Sequence, residues 1–487
     1  MKEALSTLLA WPWFDAVFAC VALLSTLVII IVILSENRNP VKSLAWVTVL
    51  LFLPVVGVIL YLFFGRNIKN KRMISRKIRR RLRRSENKSN YTAAHLHLSQ
   101  RSTQQITLGK SLTGAQFHGE NTVEIFTSGK EKFDALERDL LDAKESINLQ
   151  YYIFAGDDTG NKIANVLKEK ARSGVKVRVI YDHVGSFSVR SRFFKDMQAA
   201  GVLAYPFFKV TFPQLATRVN WRNHRKLCII DNKIGYIGGM NIADRYIDGG
   251  NFDVWRDTHL RITGPAVDAL NYSFAVDWNF TTGELIELSS DHSDHERNAH
   301  SSAVKGVGAQ VLTNGPTSQW HAVEMAFHKA ILNAQRRVYI QTPYFLPTEG
   351  LLNALQTAAL AHVDVRIMIP EASDSKMLTY ASASYIKECL RSNIKVYMYK
   401  AGMLHAKMLI VDDEMVSIGS TNFDFRSFEY NFEANIFCYS KEFNARMREI
   451  FKNDLKNCER VNAYQWNKRS LWRKACESFL RLLSPVL

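Results

Sequence analysis

The feature that most constrains this chain is a pattern of polar residues that occurs in two distant parts of it. Residues 224–241 and 405–422 both read His-x-Lys-x4-Asp-x6-Gly-(Gly or Ser)-x-Asn. In an extended strand, side chains two residues apart face the same side, so the imidazole and the ammonium of each copy are expected to point together. A single copy is compatible with a strand that begins at a charged edge. Two copies with identical spacing indicate a duplicated functional element.

The side chains in this pattern suit chemistry at a phosphodiester. An imidazole attacks phosphorus, while an ammonium and a carboxamide donate to the non-bridging oxygens. The candidate catalytic residues are therefore His224, Lys226, Asp231, His405, Lys407 and Asp412. The candidate phosphate ligands are Asn241, Asn422 and Ser420. Of the catalytic set, we expect the two aspartates to anchor the site through ion pairs and not to contact substrate.

The duplicated pattern resembles that of the phospholipase D superfamily, and the likeness runs from about residue 120 to the C-terminus. It implies an α/β fold in which two similar αβα lobes form one active site. It also implies a two-step transfer through a phosphohistidine, without a metal or a cofactor. In that family a carboxylate downstream of the Asn hydrogen-bonds the catalytic His, and Glu433 and Asp257 stand near this position. Asp257 lies five residues farther from its Asn than Glu433 does, so an ion pair with a neighbouring Arg is its alternative role.

The repeat also predicts the domain order. We expect a membrane hairpin in residues 1–66, a basic segment and polar linker in 67–115, and lobes in 116–300 and 301–487. A strand, helix and strand predicted at 146–154, 161–172 and 175–181 recur at 337–345, 351–361 and 363–369. Such alternation predicts a mainly parallel sheet. The joint between the lobes is expected at 288–302, where His292, His295 and His300 are interpreted as solvated side chains and not as metal ligands.

Two apolar runs at the N-terminus predict the membrane hairpin. Val17–Leu34 and Ser43–Gly65 each approach the ~20 residues that a spanning helix needs. A signal peptide is one alternative, but no Ala-x-Ala cleavage site follows the first run and a second run comes at once. Buried helices of a soluble protein are another. The six cysteines are scattered without paired spacing, which favours a reducing compartment and gives no thiolate metal site.

The charge that follows the second run predicts the orientation of the hairpin. Eleven basic residues and no acidic ones occur there: Arg66, Lys69, Lys71, Arg72, Arg76, Lys77, Arg79, Arg80, Arg81, Arg83 and Arg84. The positive-inside rule then places this segment and the catalytic lobes in the cytoplasm. Basic residues beside a membrane also attract anionic lipid, at roughly 1 kcal/mol each.

The predicted hairpin and the residues beside it resemble one particular family within the superfamily. The segments 39–46 and 62–66 look like the N-terminal region of bacterial cardiolipin synthases of the long, two-span type. That likeness implies a multi-pass phosphatidyltransferase of the bacterial inner membrane, which converts two phosphatidylglycerols into cardiolipin and glycerol. The net charge of +17 suits an anionic bilayer. A C-terminal amphipathic stretch at 471–483 is expected either to lie in the bilayer interface or to pack against the second lobe.

Three alternatives remain open from the sequence. A membrane-bound phospholipase D would use the same half-sites with water as the acceptor. A phosphodiester nuclease would account for the net charge, but the two apolar runs count against it, and no nucleic-acid partner is expected. A membrane scaffold with a relic site is contradicted by the completeness of both motifs. The sequence does not identify the nucleophilic His, although the resemblance favours His224, and it does not give the oligomeric state.

Overall fold

The computed structural model describes residues 12–35, 40–61, 65, 73–86, 98–210, 220–287 and 303–484. These residues form two compact units, an N-terminal helical unit and a much larger α/β unit that holds both copies of the repeated pattern. The expected joint between the lobes, with His292, His295 and His300, lies outside the described residues.

The N-terminal unit consists of three helices: α1 (Pro12–Ser35), α2 (Pro40–Phe52) and α3 (Pro54–Leu60). The second apolar run is broken at Leu53, whose φ of −134° is not helical, because Pro54 begins a new helix. Trp46 meets Tyr61 edge to face, with ring centroids 5.4 Å apart. Among the residues described with their side chains, no helix is long and apolar enough to cross a membrane.

The α/β unit is built on one continuous sheet, with several short strands beside it. In chain order the strands are β1 (Phe117–Phe126), β2 (Ser146–Tyr151), β3 (Lys176–Asp182), β4 (Leu203–Phe207), β5 (Arg222–Asn223), β6 (Leu227–Ile230), β7 (Ile234–Gly238), β8 (Trp255–Arg256), β9 (His259–Thr263), β10 (Val304–Asn314), β11 (Arg337–Gln341), β12 (Phe345–Leu346), β13 (Asp364–Pro370), β14 (Lys395–Tyr399), β15 (Met403–Leu404), β16 (Met408–Val411), β17 (Met415–Gly419), β18 (Phe423–Asp424), β19 (Asn431–Tyr439) and β20 (Cys458–Arg460).

Helices cover this sheet. They are α4 (Arg76–Glu86), α5 (Gln100–Thr113), α6 (Gly129–Asp142), α7 (Asp158–Arg172), α8 (Ser191–Ala199), α9 (Arg245–Asp248), α10 (Ala266–Thr282), α11 (Ala322–Asn333), α12 (Glu349–Leu360), α13 (Lys376–Arg391), α14 (Phe425–Glu429), α15 (Lys441–Leu455), α16 (Ala463–Asn467) and α17 (Leu471–Leu482). Local sequence sets several starts, since Asp157, Thr348 and Ser440 each accept a hydrogen bond from a first-turn backbone N–H.

The order of the strands reveals the expected duplication. The first lobe runs β4-β3-β2-β6-β7-β9-β1, and the second runs β10-β19-β17-β16-β11-β13-β14-β20. The lobes join where β1 pairs antiparallel with β10, so one sheet passes through both. A shared apolar core contains Leu227 and Leu260 from the first lobe with Val416 and Ile436 from the second. The two lobes are therefore parts of one folded unit.

The prediction of a mainly parallel sheet was wrong. Parallel pairing in the main sheet joins β2, β3 and β4, and likewise β11, β13 and β14. The strands between these outer sets pair antiparallel. The physical reason is the short connection within each repeated pattern, which begins at the motif Asp. Residues 231–233 link β6 to β7, and so tight a turn returns the chain antiparallel.

The polar linker expected within 67–115 contains helix α5 where it is described. Ser99 caps its start by accepting from the Ser102 N–H, and Gly114 ends it with a φ of 74°. Two hydrogen bonds join it to the second lobe. Gln105 Nε2 donates to the Ala326 carbonyl at 2.9 Å. The Ser102 hydroxyl donates to Glu414 at 2.9 Å. Ile106 also packs against the apolar core of the second lobe, but a single residue does not form the apolar stripe that predicts a packed helix.

Candidate active site

Each motif histidine is held by a strand of the opposite lobe. His224 follows the short strand β5, which pairs in parallel with β19, and the His224 N–H donates to the Phe432 carbonyl at 2.9 Å. In the same way β15 pairs with β8, and the His405 N–H donates to the Arg256 carbonyl at 2.7 Å. The expected position of His and Lys within a strand is nearly right, since they lie in the gap just before β6 and β16.

The two downstream carboxylates also reach across the interface between the lobes. His224 Nδ1 lies 3.0 Å from Glu433 Oε1 of the second lobe. His405 Nδ1 lies 2.6 Å from Asp257 Oδ2 of the first lobe. The alternative role for Asp257, an ion pair with the adjacent Arg, is not what the geometry gives, because the Arg256 guanidinium pairs with Asp454 at 2.8 Å. With Nδ1 occupied, Nε2 is the imidazole nitrogen left for chemistry.

The surroundings of the two carboxylates differ. The Ser420 hydroxyl donates to Glu433 Oε2, and Asn431 Nδ2 donates to Glu433 Oε1 at 3.2 Å. Ser420, expected as a phosphate donor, therefore contacts the carboxylate in this structure. The matching position in the first lobe is Gly239, where an added Cβ would lie 2.1 Å from Asp257 Oδ1. Glycine is needed there to leave room for the carboxylate.

Burial shapes the protonation of these groups. It lowers the pKa of His224 to about 4 and that of His405 well below its usual range. It raises the pKa of Asp257 to about 6, against the attraction of Lys407. For Glu433 the same burial is outweighed by the charge and hydrogen bond of His224, so its pKa is lowered. The two His–carboxylate pairs are thus electrostatically unequal.

Both motif lysines are buried beside their histidines. Lys226 Nζ donates to the His224 carbonyl at 2.6 Å. Lys407 Nζ donates to the His405 carbonyl and lies 2.8 Å from His405 Nδ1. Burial lowers the pKa of Lys407 to about 8 and that of Lys226 well below its usual value. An anionic substrate reverses this effect, because it favours the charged ammonium.

The two asparagines line the same pocket but differ in their hydrogen bonds. Asn241 is engaged by protein: its Oδ1 accepts from the Ile153 N–H at 3.1 Å, and its Nδ2 donates to the Tyr246 hydroxyl at 2.6 Å. Asn422 Oδ1 is buried and, within the described part of the chain, has no hydrogen-bond partner. The unpartnered atom of Asn422 is an acceptor, whereas its side-chain N–H group hydrogen-bonds Asp424.

The motif aspartates lie outside the pocket. Asp231 accepts from the backbone N–H groups of residues 144, 145 and 146 at 2.7–2.8 Å. Asp412 accepts from those of residues 335, 336 and 337 at 2.8–3.1 Å. Anchoring through ion pairs was expected, but backbone N–H groups are the main partners, with one added ion pair from Arg101 to Asp412. Both aspartates have a φ of 50°, a conformation that Asp tolerates better than most residues.

The pocket has a volume of about 310 Å³ and is lined by both histidines and both asparagines. The sequence analysis missed its other polar and aromatic lining residues, which are Tyr152, Arg222, Arg245, Tyr246, Trp255, Tyr344, Asp374, Asp424, Arg426 and Asn431. Tyr152 and Tyr344 could have been found from the sequence, because each lies between a Gln and a Phe in a similar segment of its lobe. The first lobe reads Gln-x-Tyr-x-Phe at 150–154, and the second reads Gln-x-x-Tyr-Phe at 341–345. Among the described residues, no cluster of three or more His, Cys, Asp or Glu side chains is placed to hold a metal ion.

Two duplicated α/β lobes that each bring one His to a single pocket, with a buried Lys beside it, define the phospholipase D-like class of enzymes. A family model described as "Cardiolipin synthase, PLD-like domain" matches residues 136–278 and 327–455, and one described as "Phospholipase_D-nuclease N-terminal" matches residues 23–66. The chain is 39% identical to the major cardiolipin synthase of Bacillus subtilis over 96% of its length and 98% of that protein. The chain belongs to the cardiolipin synthase family.

Two further comparisons agree. A cardiolipin synthase of Listeria monocytogenes is 38% identical, with 93% of this chain and 95% of that protein covered. The crystal structure of a phosphatidylserine synthase from Haemophilus influenzae covers 79% of this chain and 100% of its own, with a TM-score of 0.60. At 15% identity, that second likeness supports the fold alone.

Proposed function

We propose that this chain joins two phosphatidylglycerol molecules into cardiolipin and releases glycerol, through a phosphatidyl-histidine intermediate. The observation that carries the proposal is the single pocket into which each lobe brings one His, oriented by a carboxylate of the other lobe. Phosphoryl transfer through a covalent intermediate needs one group that attacks and another that moves the proton. Two imidazoles at one site supply both.

In the first step His224 Nε2 attacks the phosphorus of one phosphatidylglycerol. The bond from phosphorus to the glycerol oxygen breaks, and His405 gives its proton to that oxygen, so free glycerol leaves. Burial lowers the pKa of both imidazoles and so favours their neutral form, which suits His224 as a nucleophile. The negative charge of the bound phosphodiester raises the pKa of His405, so its protonation accompanies substrate binding.

In the second step a terminal hydroxyl of another phosphatidylglycerol takes the place of the departed glycerol. His405 Nε2 removes the hydroxyl proton, the oxygen attacks phosphorus, and the bond from phosphorus to His224 Nε2 breaks. Cardiolipin forms, His224 is neutral again, and His405 carries the proton taken from the hydroxyl, which it loses when the anionic product leaves. Lys226 and Lys407 stabilise the charge that develops on the non-bridging oxygens, and no metal or cofactor is needed for that role.

The unequal carboxylates support His224 as the nucleophile. A phosphohistidine is favoured by a carboxylate that stays ionised, and Glu433 is kept ionised by its contacts with His224, Lys226 and Ser420. A histidine that transfers protons is better matched by a partner near its own titration range, as Asp257 is. The motif aspartates act only indirectly, through the turns that hold β6 and β16.

We also propose that the N-terminal unit anchors the enzyme in the bacterial inner membrane as a two-span hairpin. The apolar runs carry this proposal, together with the exposed apolar side chains of α1, such as Leu23 and Leu24 at 72% and 64% exposure. Helix α17 supports contact with lipid: Leu471, Trp472 and Phe479 are all more than 60% exposed, while its other face holds buried Glu477. A tethered enzyme meets its lipid substrates in the plane of the bilayer.

Purified full-length protein in mixed micelles with phosphatidylglycerol alone tests the reaction. Cardiolipin and glycerol should form in equal amounts, and EDTA should not change the rate. Phosphatidic acid should be a minor product, because the intermediate is shielded from water until an alcohol arrives. If phosphatidic acid dominates at high lipid content, the enzyme is a hydrolase. If only single-stranded nucleic acid is cleaved, the transfer reaction is wrong.

A further inference from the structure

A second cavity, of about 570 Å³, shares none of its lining residues with the active-site pocket. Its walls are helix α4, helix α10 and residues 313–320 after β10. It is larger than the active-site pocket, and the reaction proposed above uses none of its side chains. Its lining combines cations, buried polar atoms and an apolar edge, and each of these restricts the ligand that it accepts.

The cationic part comes from one face of α4. Arg76, Arg79 and Arg83 follow each other at helical spacing and all line the cavity. Arg83 is engaged, because it donates to the Tyr272 hydroxyl at 3.2 Å and to the Thr113 carbonyl. Arg76 and Arg79 are exposed and form no ion pair within the described residues. Two guanidinium groups beside a cavity favour a phosphate or carboxylate ligand.

The opposite wall offers hydrogen-bonding atoms that are not used by the protein. Ser273 and Asp277 of α10 line the cavity, and Ser273 Oγ and Asp277 Oδ1 are buried without a hydrogen-bond partner in the described part of the chain. Buried polar atoms without partners are rare and costly. A hydroxyl group of a ligand suits both atoms, since it donates to a carboxylate and exchanges hydrogen bonds with a serine.

The same aspartate connects the cavity to the active site. Asp277 Oδ2 accepts from Asn223 Nδ2 at 3.0 Å and from the Arg225 guanidinium. Asn223 and Arg225 are the neighbours of His224 in the chain. Arg225 Nε also donates to the carbonyl of Glu433 at 3.1 Å, the residue that orients His224. Asp277 therefore contacts both residues that flank His224.

We propose that this cavity binds a phosphate ester with free hydroxyl groups, as in the headgroup of an anionic phospholipid, at a site separate from the catalytic one. The phosphate lies against Arg76 and Arg79, and the hydroxyls meet Ser273 and Asp277. Met73, Ile74 and half-exposed Trp320 give the edge an apolar character that suits the start of an acyl chain. In sequence, α4 belongs to the basic segment that follows the proposed hairpin, where anionic lipid is concentrated.

The test uses full-length protein with His224→Asn, which stops turnover, so that its result does not depend on the proposed reaction. Gln319, exposed at the cavity, is replaced by the photoreactive amino acid p-benzoylphenylalanine. The protein is irradiated in vesicles of phosphatidylcholine with or without phosphatidylglycerol, and lipid adducts are measured by mass spectrometry. The key variant is Arg76→Gln/Arg79→Gln. The matched control is Lys77→Gln/Arg80→Gln, which removes the same charge from residues of α4 that do not line the cavity.

Phosphatidylglycerol adducts should form in the parent protein and the control, and should fall about tenfold in the Arg76→Gln/Arg79→Gln variant, as the loss of about 1.4 kcal/mol of binding predicts. Arg76→Lys/Arg79→Lys should restore part of the yield. Equal adducts in both glutamine variants, or equal yields with phosphatidylcholine alone, overturn the site. A soluble ligand is distinguished with glycerol phosphate in neutral detergent. A contrary result is that glycerol phosphate raises the unfolding temperature of the control but not of the Arg76→Gln/Arg79→Gln variant, while no lipid adduct forms. That result would mean that the cavity binds a soluble ester and that the lipid assignment is wrong.

Discussion

At the scale of single residues, the active site depends on pairs that neither lobe contains alone. His224 is oriented by Glu433, and His405 by Asp257, and in both pairs the partners belong to different lobes. Aromatic rings hold the imidazoles from the sides: Tyr152 meets His224 with ring centroids 4.9 Å apart. Two half-sites joined in this way should behave as one catalytic unit, in which the loss of either His is as severe as the loss of both.

The first prediction follows from this unit. His224→Ala and His405→Ala should each reduce cardiolipin formation by on the order of 10⁴-fold or more, as the loss of a nucleophile or its proton-transfer partner does elsewhere. The double variant should be no worse than either single one. Initial rates at saturating phosphatidylglycerol measure the effect, with His328→Ala in α11 as the control. If one single variant keeps near-normal turnover, the two half-sites do not form one active site.

The second prediction concerns Asp257 and pH. Its pKa is raised to about 6 by burial, so the carboxylate that orients His405 is ionised above that pH and protonated below it. The rate should therefore fall as the pH drops through about 6. Asp257→Asn should remove this acid limb and lower the rate at pH 8 by roughly 10–100-fold. Exposed Asp253 provides the control, because the Asp253→Asn variant should keep the fall in rate near pH 6. If the rate of the Asp257→Asn variant still falls near pH 6, a group other than Asp257 causes the fall.

At the scale of elements, the repeated pattern is a β-hairpin with its own anchor. In the first lobe the His-Lys pair precedes β6, and Asp231 begins the turn into β7 with positive φ values at Asp231 and Asn232. The carboxylate of Asp231 then binds the backbone N–H groups at the start of β2, the neighbouring strand. The Asp of each motif thus fixes the register between two strands and only indirectly the catalytic residues.

The third prediction separates this anchoring role from catalysis. Asp231→Ala and Asp412→Ala should each lower the free energy of unfolding by about 2–3 kcal/mol, because several N–H groups lose a charged acceptor. The turnover of the folded protein should change little. Urea unfolding and rates per folded molecule measure the two effects. Asp413→Ala, which removes only partly exposed ion pairs, should cost about 1 kcal/mol or less. A stable Asp412→Ala protein without activity would contradict the anchoring role.

The fourth prediction concerns α17, for which the sequence left two roles open. The structure supports packing against the second lobe on one face, where Leu480 packs against its apolar core and Arg481 pairs with Glu388, while Leu471 and Trp472 stay exposed. An environment-sensitive dye attached at Trp472→Cys should be quenched by lipid-borne nitroxides in anionic vesicles. The same dye at Arg192→Cys, an exposed site on α8, should not be quenched. Quenching by iodide alone at position 472 would show that α17 does not touch the bilayer.

At the scale of the whole molecule, one sheet unites the lobes, and the basic segment joins them to the N-terminal unit in sequence. The pairing of β1 with β10 makes the sheet continuous, and the core is drawn from both lobes. We expect the lobes to unfold together and not one after the other, since neither closes its own sheet edge at this junction.

The fifth prediction is the orientation in the membrane. In a variant without reactive native cysteines, Glu120→Cys should react with an impermeant maleimide only after the cells are permeabilised. Asn37→Cys, in the loop between the two apolar runs, should react in intact cells, because the basic residues hold the following segment inside. Labelling of Glu120→Cys from outside intact cells would reverse the orientation, and the expectation of a reducing compartment would be lost with it.

The sequence alone determined the features that depend on local spacing. The two motifs, the duplicated lobes and the histidines and lysines of the site follow from it, because spacing along a strand sets which way neighbouring side chains face. Its prediction of a mainly parallel sheet failed, since strand direction depends on a turn whose positive φ values are not visible in the motif. Helix α5 was missed as well, because no apolar stripe marks it in the sequence.

Only the tertiary structure decided which carboxylate hydrogen-bonds to which histidine. Glu433 follows the second motif but orients the His of the first, across 209 residues of chain, and Asp257 reaches the second His across 148. Partners so distant are brought together by the pairing of β5 with β19 and of β15 with β8. Spacing within a motif carries no information about such pairing, because strand register between the lobes is set by the packing of the whole sheet.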